Sequence, residues 1–208
     1  MINTDQNPIL LFRQWYLEAV DSGMKDPDVM TLATTGNDFR PSARIVLLKE
    51  FDEKGFVFYS NYRSHKGEQI ASSPWAAIVI HWQELGHQVR IEGRIGKTTV
   101  KESDRYFASR PRGSQLGAWA SMQSQVVPSP ESLEAKMKKM EEKFRDREVP
   151  RPAYWGGYRL RPDRMEFWIE KDDRMHDRIL FEKIIGLEKT GLVDDTDEDV
   201  WIGRWMAP

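Results

Sequence analysis

The 208-residue chain contains no cysteine, which removes disulfides, thiolate nucleophiles and cysteine-held metal together. No apolar run approaches the roughly 20 residues of a membrane-spanning helix. The opening Met1-Ile2-Asn3-Thr4-Asp5 has neither the basic region nor the apolar stretch of a signal peptide. A cytoplasmic protein without a membrane partner is expected, and no metal site. Charge of one sign is not in surplus either: 31 Lys and Arg stand against 33 Asp and Glu, a net charge of −2. That balance argues against nucleic acid as a partner, so any cationic site must be local. Repeats, low-complexity tracts and linkers are absent. Residues 1–208 therefore read as a single domain, with 1–6 expected to be disordered and the acidic 186–199 an exposed loop.

Hydrophobic residues make up 39% of the chain and charged residues 31%, the balance of a globular protein, and eight Trp are available to pack flat faces or line an apolar pocket. Asn7-Pro8 predicts a helix start and Gly23 its stop, with Leu11, Phe12, Trp15, Tyr16, Ala19 and Val20 on one docking stripe. Strands are predicted at residues 29–34, 44–49, 56–60, 75–82 and 88–95, with turns at Gly36-Asn37-Asp38, Asp52-Glu53-Lys54-Gly55 and Gly86. Thr99-Val100-Lys101-Glu102 is a capping box opening a helix through Tyr106 and Phe107, and Ser129-Pro130 opens another carrying Leu133, Met137, Met140 and Phe144. Beyond Pro150 three strands are predicted, at 154–160, 165–169 and 178–181, and a last one includes Val200, Trp201 and Ile202. Six to eight strands with peripheral helices point to a mainly β, α+β barrel.

Polar groups concentrate in four places. Arg44-Ile45-Val46-Leu47-Leu48-Lys49 reads as a strand buried on both faces with a cation at each end: two snorkelling side chains, or an anion site on a rigid strand. Ser64 caps a short helix carrying His65, Lys66 and Gln69, a phosphate cradle or a solvated surface helix. In Arg110-Pro111-Arg112-Gly113-Ser114-Gln115, the proline ends a helix and Arg110, Arg112 and Ser114 are expected to face one small volume suited to a phosphate monoester. Met122-Gln123-Ser124-Gln125 adds further donors. In Arg174-Met175-His176-Asp177-Arg178, Asp177 or a neighbouring acceptor is positioned to fix the histidine tautomer while two guanidiniums face an anionic or planar ligand. A polar, solvated turn is the plainer alternative.

Together with Phe58-Tyr59-Ser60-Asn61, Tyr106-Phe107-Ala108-Ser109-Arg110-Pro111, Ser114-Gln115-Leu116-Gly117-Ala118, Trp155-Gly156-Gly157-Tyr158 and Glu166-Phe167-Trp168, these segments resemble the pyridoxine/pyridoxamine 5′-phosphate oxidase family. The resemblance runs from about Asn7 to Pro208. It implies an FMN-binding split β-barrel with peripheral helices that dimerises and holds flavin at the subunit interface. It assigns FMN to Arg44, Ile45, Val46, Leu47, Leu48, Lys49, Tyr59, Ser60, His65, Lys66, Gln88, Gln123, Ser124, Trp168 and Arg178. The substrate phosphate goes to Lys49, Tyr106, Arg110 and Ser114, and Arg174, Met175 and His176 lie against the pyridine ring, Arg174 and His176 in catalytic roles. The implied reaction oxidises pyridoxine 5′-phosphate or pyridoxamine 5′-phosphate to pyridoxal 5′-phosphate, with oxygen as acceptor and hydrogen peroxide as product.

Two departures from the family pattern stand out. Ser64-His65-Lys66 replaces the usual Ser-Arg-Lys, exchanging one flavin-phosphate guanidinium for an imidazole. A longer basic and aromatic arm found in some members does not precede Asn7, so lid closure and substrate affinity are expected to differ. The rival from another class is a flavin- or vitamer-binding split barrel without turnover. Against it stands the joint presence of Lys49, Tyr106, Arg110, Ser114, Arg174 and His176. A nicotinamide-linked flavin reductase lacks the support of any glycine-rich dinucleotide fingerprint.

Overall fold

A computed structural model of the chain describes residues 3–184 and 200–208. The loop expected at 186–199 lies outside them, and so do Met1 and Ile2; residues 3–6 form a bend before the first helix. That helix, α1 (Pro8–Asp21), begins where the sequence says: the Asn7 side chain accepts from the Ile9 N–H at 2.8 Å, and Pro8 occupies the first turn.

Nine strands follow among the described residues: β1 (Val29–Thr35), β2 (Pro41–Leu47), β3 (Glu50–Asp52), β4 (Gly55–Asn61), β5 (Trp75–Trp82), β6 (His87–Lys97), β7 (Trp155–Ile169), β8 (Asp177–Lys183) and β9 (Trp201–Met206). All pair antiparallel in one sheet, in the order β2-β1-β5-β6-β7-β4-β3, with β8 joining β7 to β9. The sheet parts at β7. Residues 155–160 of β7 pair with β4 and residues 164–169 with β8, while β6 runs along its other side. The two C-terminal strands expected at 154–160 and 165–169 are thus one fifteen-residue strand. It continues through Pro162 because the register against β6 shifts between Glu92 and Gly93. Gly93 allows that close approach, since a Cβ there would run into the Arg161 carbonyl.

The interior is filled by Leu32, Phe56, Phe58, Ile78, Ile80, Val89, Ile91, Leu160, Met165, Phe167, Ile179 and Phe181, all fully buried. α1 closes it. Phe12 meets the Phe51 and Phe56 rings edge-on at 4.9 and 4.8 Å, and Trp15 stacks on His87 at 4.0 Å. Val20, placed on the docking stripe by its spacing, faces solvent instead.

Four further α-helices among the described residues lie on the outside: α2 (His65–Ser72), α3 (Val100–Ser109), α4 (Arg112–Ala120) and α5 (Pro130–Lys143). The Thr99–Glu102 capping box starts α3 as expected. α4 was not expected from the sequence. Pro111 ends α3 but also caps α4, and Gly113 and Gly117 dilute its apolar pattern. Phe107, Leu116, Phe144, Val149 and Trp155 form a second, smaller core beneath these helices. The result is a curled antiparallel half-barrel with peripheral helices, the split-barrel architecture that the sequence implies.

One expectation about β2 fails. It is an edge strand and its residues alternate between exposed and half-buried, not buried on both faces. Ile45 is 61% exposed and Leu47 43%. Val46 packs against the core from its half-buried face, and Leu48, just past the strand, is buried in it.

Candidate active site

Beside β2 opens a cavity of about 560 Å³, within the range of small-molecule sites. β2 contributes Ser42, Arg44, Ile45, Val46 and Leu47, followed by Lys49; β4 contributes Tyr59 and Ser60; the start of α2 contributes His65 and Lys66. Tyr106 and Arg110 come from α3 and its end, Gln123 and Ser124 from the loop after α4, and Trp155 from the start of β7.

Two of its cations, Arg44 and Lys66, are held by neutral groups. The Arg44 guanidinium donates to the Leu32 carbonyl (3.3 Å), the Ser42 hydroxyl (2.8 Å), the Gln69 side-chain oxygen (3.2 Å) and the Thr34 hydroxyl. Lys66, 8% exposed, donates to Ser60 Oγ at 3.1 Å and Ser64 Oγ at 3.4 Å. Burial, and then the positive charge of Arg44, pushes the Lys66 ammonium down to about 8. Burial likewise lowers Arg44 and Arg110. The Arg110 guanidinium carbon lies 4.4 Å over the Trp155 ring, and its buried Nη1 has no hydrogen-bond partner. No carboxylate among the described residues pairs with Arg44, Lys66 or Arg110. Buried cations left unpaired are costly, and a bound anion removes that cost. Lys49 differs, forming an ion pair with Asp28 at 2.7 Å.

One wall is aromatic. The Tyr59 and Tyr106 rings stack at 3.7 Å, and Trp155 runs parallel to both. Tyr59 donates its hydroxyl to Glu50 Oε1 at 3.0 Å. Burial first, then that hydrogen bond, raises it above the usual tyrosine range, so it stays a proton donor. Ser60 donates to the Gln123 side-chain oxygen at 3.1 Å, tying the loop after α4 to β4. α2 approaches closely because residue 67 is glycine; a Cβ there would meet the Tyr62 carbonyl.

The remaining candidates do not line this cavity. Gln88, Trp168 and Arg178 lie side by side on β6, β7 and β8. Arg178 pairs with the buried Glu166 at 2.8 Å and donates to the Ala207 carbonyl at 3.0 Å. The His176 ring lies 4.5 Å from that of Trp168, and its Nδ1 accepts from the Lys171 N–H at 3.2 Å. A backbone donor, rather than the expected acceptor, therefore fixes the neutral tautomer with its proton on Nε2, while Asp177 pairs with Lys171 at 2.6 Å. Arg174 and Met175 are exposed on the turn before β8, Arg174 with a positive φ of 59°.

Ser114 is exposed on the first turn of α4, outside the cavity lining. Arg112 was expected to face the same volume as Arg110 but turns away, donating to the carbonyls of Phe144 (2.6 Å) and Arg147 (3.0 Å), where it ties α4 to the end of α5. The sequence reading missed Ser42 and Trp155 as lining residues, and Thr34, Gln69, Glu50 and Asp28 as partners of site groups. Ser42 sits on the same strand face as Arg44, two residues away, and that spacing was its one signal.

Residues 16–144 match the family model described as pyridoxamine 5′-phosphate oxidase, and residues 155–208 that of the pyridoxine 5′-phosphate oxidase C-terminal dimerisation region. The chain belongs to the pyridoxine/pyridoxamine 5′-phosphate oxidase family. Enzymes with that name from Cyanothece sp. and Rubrobacter xylanophilus are 51% and 53% identical to it over 177 residues, covering 85% of this chain and 83% and 82% of theirs. PhzG from Burkholderia lata, solved in complex with tetrahydrophenazine-1-carboxylic acid, matches with a TM-score of 0.84 at 29% identity, over 97% of this chain and 93% of that one. A pyridoxamine 5′-phosphate oxidase-related, FMN binding protein from Nostoc punctiforme shares the fold, with a TM-score of 0.72 at 15% identity over 99% and 100%.

The residues of this oxidase-family chain fit FMN. Arg44 and Lys66 form an unneutralised cationic pair beside the hydroxyls of Ser60 and Ser124, a donor set suited to a phosphate. The exposed Ile45 and Leu47 are apolar surface of the kind a flat ring covers.

Proposed function

We propose that the protein is an FMN-dependent oxidase that converts pyridoxine 5′-phosphate or pyridoxamine 5′-phosphate to pyridoxal 5′-phosphate, with oxygen as electron acceptor and hydrogen peroxide as product. One observation carries this reading: a single cavity holds three cations without carboxylates, Arg44 and Lys66 on one side and Arg110 against Trp155 on another. Two anionic groups, one from the cofactor and one from the substrate, satisfy that demand.

FMN, when bound, supplies the electron sink for oxidation at the substrate C4′ and returns the electrons to oxygen. Arg44, Lys66, Ser60 and Ser124 hold its phosphate. Arg110, Tyr106 and Lys49 hold the substrate phosphate, and the rigid Tyr59–Tyr106–Trp155 wall fixes where that group sits. With its phosphate anchored, the substrate is oriented before reaction, and this positioning is the protein's main contribution.

Arg174, Met175, His176, Gln88, Trp168 and Arg178 complete the site from a second subunit, in keeping with the family's dimerisation region at 155–208. There Arg174 stacks on the pyridine ring and stabilises developing charge, and His176 presents Nε2–H as a donor. Purification, identification of the bound flavin by mass, and measurement of oxygen-dependent pyridoxal phosphate formation from both substrates test the proposal. A tightly bound flavin with no turnover of either substrate would favour the binding-protein alternative.

A further inference from the structure

Four long basic side chains line the cavity, and one is treated differently. Arg44, Lys66 and Arg110 meet no described carboxylate, whereas Lys49 Nζ lies 2.7 Å from Asp28 Oδ2. Asp28 is held in place from both directions. Its carbonyl accepts from the Leu48 N–H at 2.8 Å, and the carbonyl of the preceding Pro27 accepts from Trp82 Nε1 at 3.0 Å. Lys49 is anchored through its own N–H to the Val57 carbonyl at 2.9 Å. The pair therefore spans two fixed stretches of backbone, and Asp28 stands behind Lys49 without itself lining the cavity.

We propose that Asp28 is a specificity-determining counter-ion. It neutralises Lys49 in the unliganded pocket and so weakens the hold on the substrate phosphate. A phosphate dianion that takes Lys49 as a ligand must share it with, or draw it from, a carboxylate on a rigid support. The side chains of Lys49 and Asp28 are 27% and 23% exposed, so the competition is modest and screened. This sets affinity without abolishing binding, and it acts only on ligands that bear the phosphate. The inference rests on the proposed function in taking that phosphate to belong to a pyridoxine-type ester.

The test is calorimetric titration of the flavin-loaded protein, kept anaerobic with its flavin reduced beforehand so that no turnover occurs, with pyridoxine 5′-phosphate and with pyridoxine as probes, for wild type, Asp28→Asn and the control Glu53→Gln. Glu53 is an exposed carboxylate paired with Arg13 at 3.8 Å, so its loss removes the same charge away from the cavity. Asp28→Asn is expected to bind pyridoxine 5′-phosphate about two- to fivefold more tightly at low salt. That gain should shrink at high salt, be absent with pyridoxine, and be absent in Glu53→Gln. Should the asparagine variant lose its flavin or melt early, Asp28→Ser carries the same comparison.

Unchanged or weaker phosphate-ester binding in a folded variant overturns the inference, and weaker binding makes Asp28 a tether that presents Lys49. Equal tightening in Glu53→Gln overturns it as well, because the effect would then be one of net charge. Failure of the wild type to bind pyridoxine 5′-phosphate at all overturns the proposed function, and this inference with it.

Discussion

The guanidinium of Arg110 lies 4.4 Å above the Trp155 ring, with its Nη1 buried and unpartnered. Trp155 is rigid, belonging both to β7 and to the smaller core. The arginine is thus pre-set, its charge desolvated on one side and its donor waiting for an acceptor. Arg110→Ala should raise the substrate KM strongly, by the roughly 2–5 kcal/mol typical of removing a buried charged partner. Flavin content should hardly change, because the proposed function gives the other phosphate to Arg44 and Lys66. Steady-state kinetics alongside flavin absorbance check this, and lost flavin with a normal KM would reassign Arg110 to the cofactor.

Lys66 provides a pH signature. Its ammonium is lowered to about 8 by burial and by Arg44, and a bound phosphate would pull it back up. FMN binding should therefore take up a proton above about pH 8, and FMN affinity should fall as pH rises from 7 to 9. Lys66→Arg keeps its charge throughout and should not show that fall. The sign for stability is opposite. The folded value lies below the usual lysine value of 10.5, so Lys66 favours the flavin-free fold above 10.5, and that contribution is lost as pH falls through about 8. Fluorescence titration of apoprotein with FMN across this range separates the two proteins.

Features written in local chemistry were legible in the sequence. Asn7-Pro8, the Thr99–Glu102 box and the left-handed turn at Gly86 each depend on residues within a few positions of one another. The burial of β2 was not legible, because an aliphatic run looks the same whether it faces the protein's own core or a cavity. A proline removes a ladder hydrogen bond, and β7 runs through Pro162 only because it carries an extra residue, Asp163, where its register against β6 shifts between Glu92 and Gly93. Arg110 and Arg112 have equal claims in the sequence. What separates them is the position of the Phe144 and Arg147 carbonyls, more than thirty residues away. Lys49 lines the cavity, and its partner Asp28 lies 21 residues earlier, beyond any local pattern.

Glu102 links the start of α3 to the sheet. Its carboxylate accepts from the Thr99 hydroxyl and N–H at 2.7 and 2.8 Å and from Arg159 at 2.9 Å. The Thr99 hydrogen bonds first, and then Arg159, hold it down to about 2. Because the folded value lies below the unfolded one, this contribution is present above about pH 4.5 and is lost as pH falls toward 2. The side chain is 28% exposed, so solvent discounts the ion pair. Glu102→Gln should lower stability by about 1 kcal/mol at neutral pH, as losing a cap does, and should flatten the acid limb of the stability curve. Thermal melts between pH 2 and 7 measure both effects.

The last prediction concerns which chain supplies which half of the site. Arg44 lines the cavity from β2; Arg174 lies before β8 and does not reach that lining. Along the sheet, β2 and β8 are separated by β1, β5, β6 and β7, and at about 4.8 Å per strand that is roughly 24 Å of sheet. The barrel interior is filled with side chains, so a flat ring must lie outside it and needs a wall from elsewhere. In the proposed homodimer a two-fold axis would supply one: the β8 end of each subunit would cover the β2 edge of the other, and the arrangement would repeat as two sites. Arg44→Ala and Arg174→Ala, each inactive alone, should then complement when unfolded and refolded together. Half of the random dimers are mixed, and each mixed dimer carries one intact site and one doubly altered site. The mixture should recover roughly a quarter of wild-type activity. If both arginines of a site came from one chain, every site in every dimer would lack one of them, and the mixture would stay inactive.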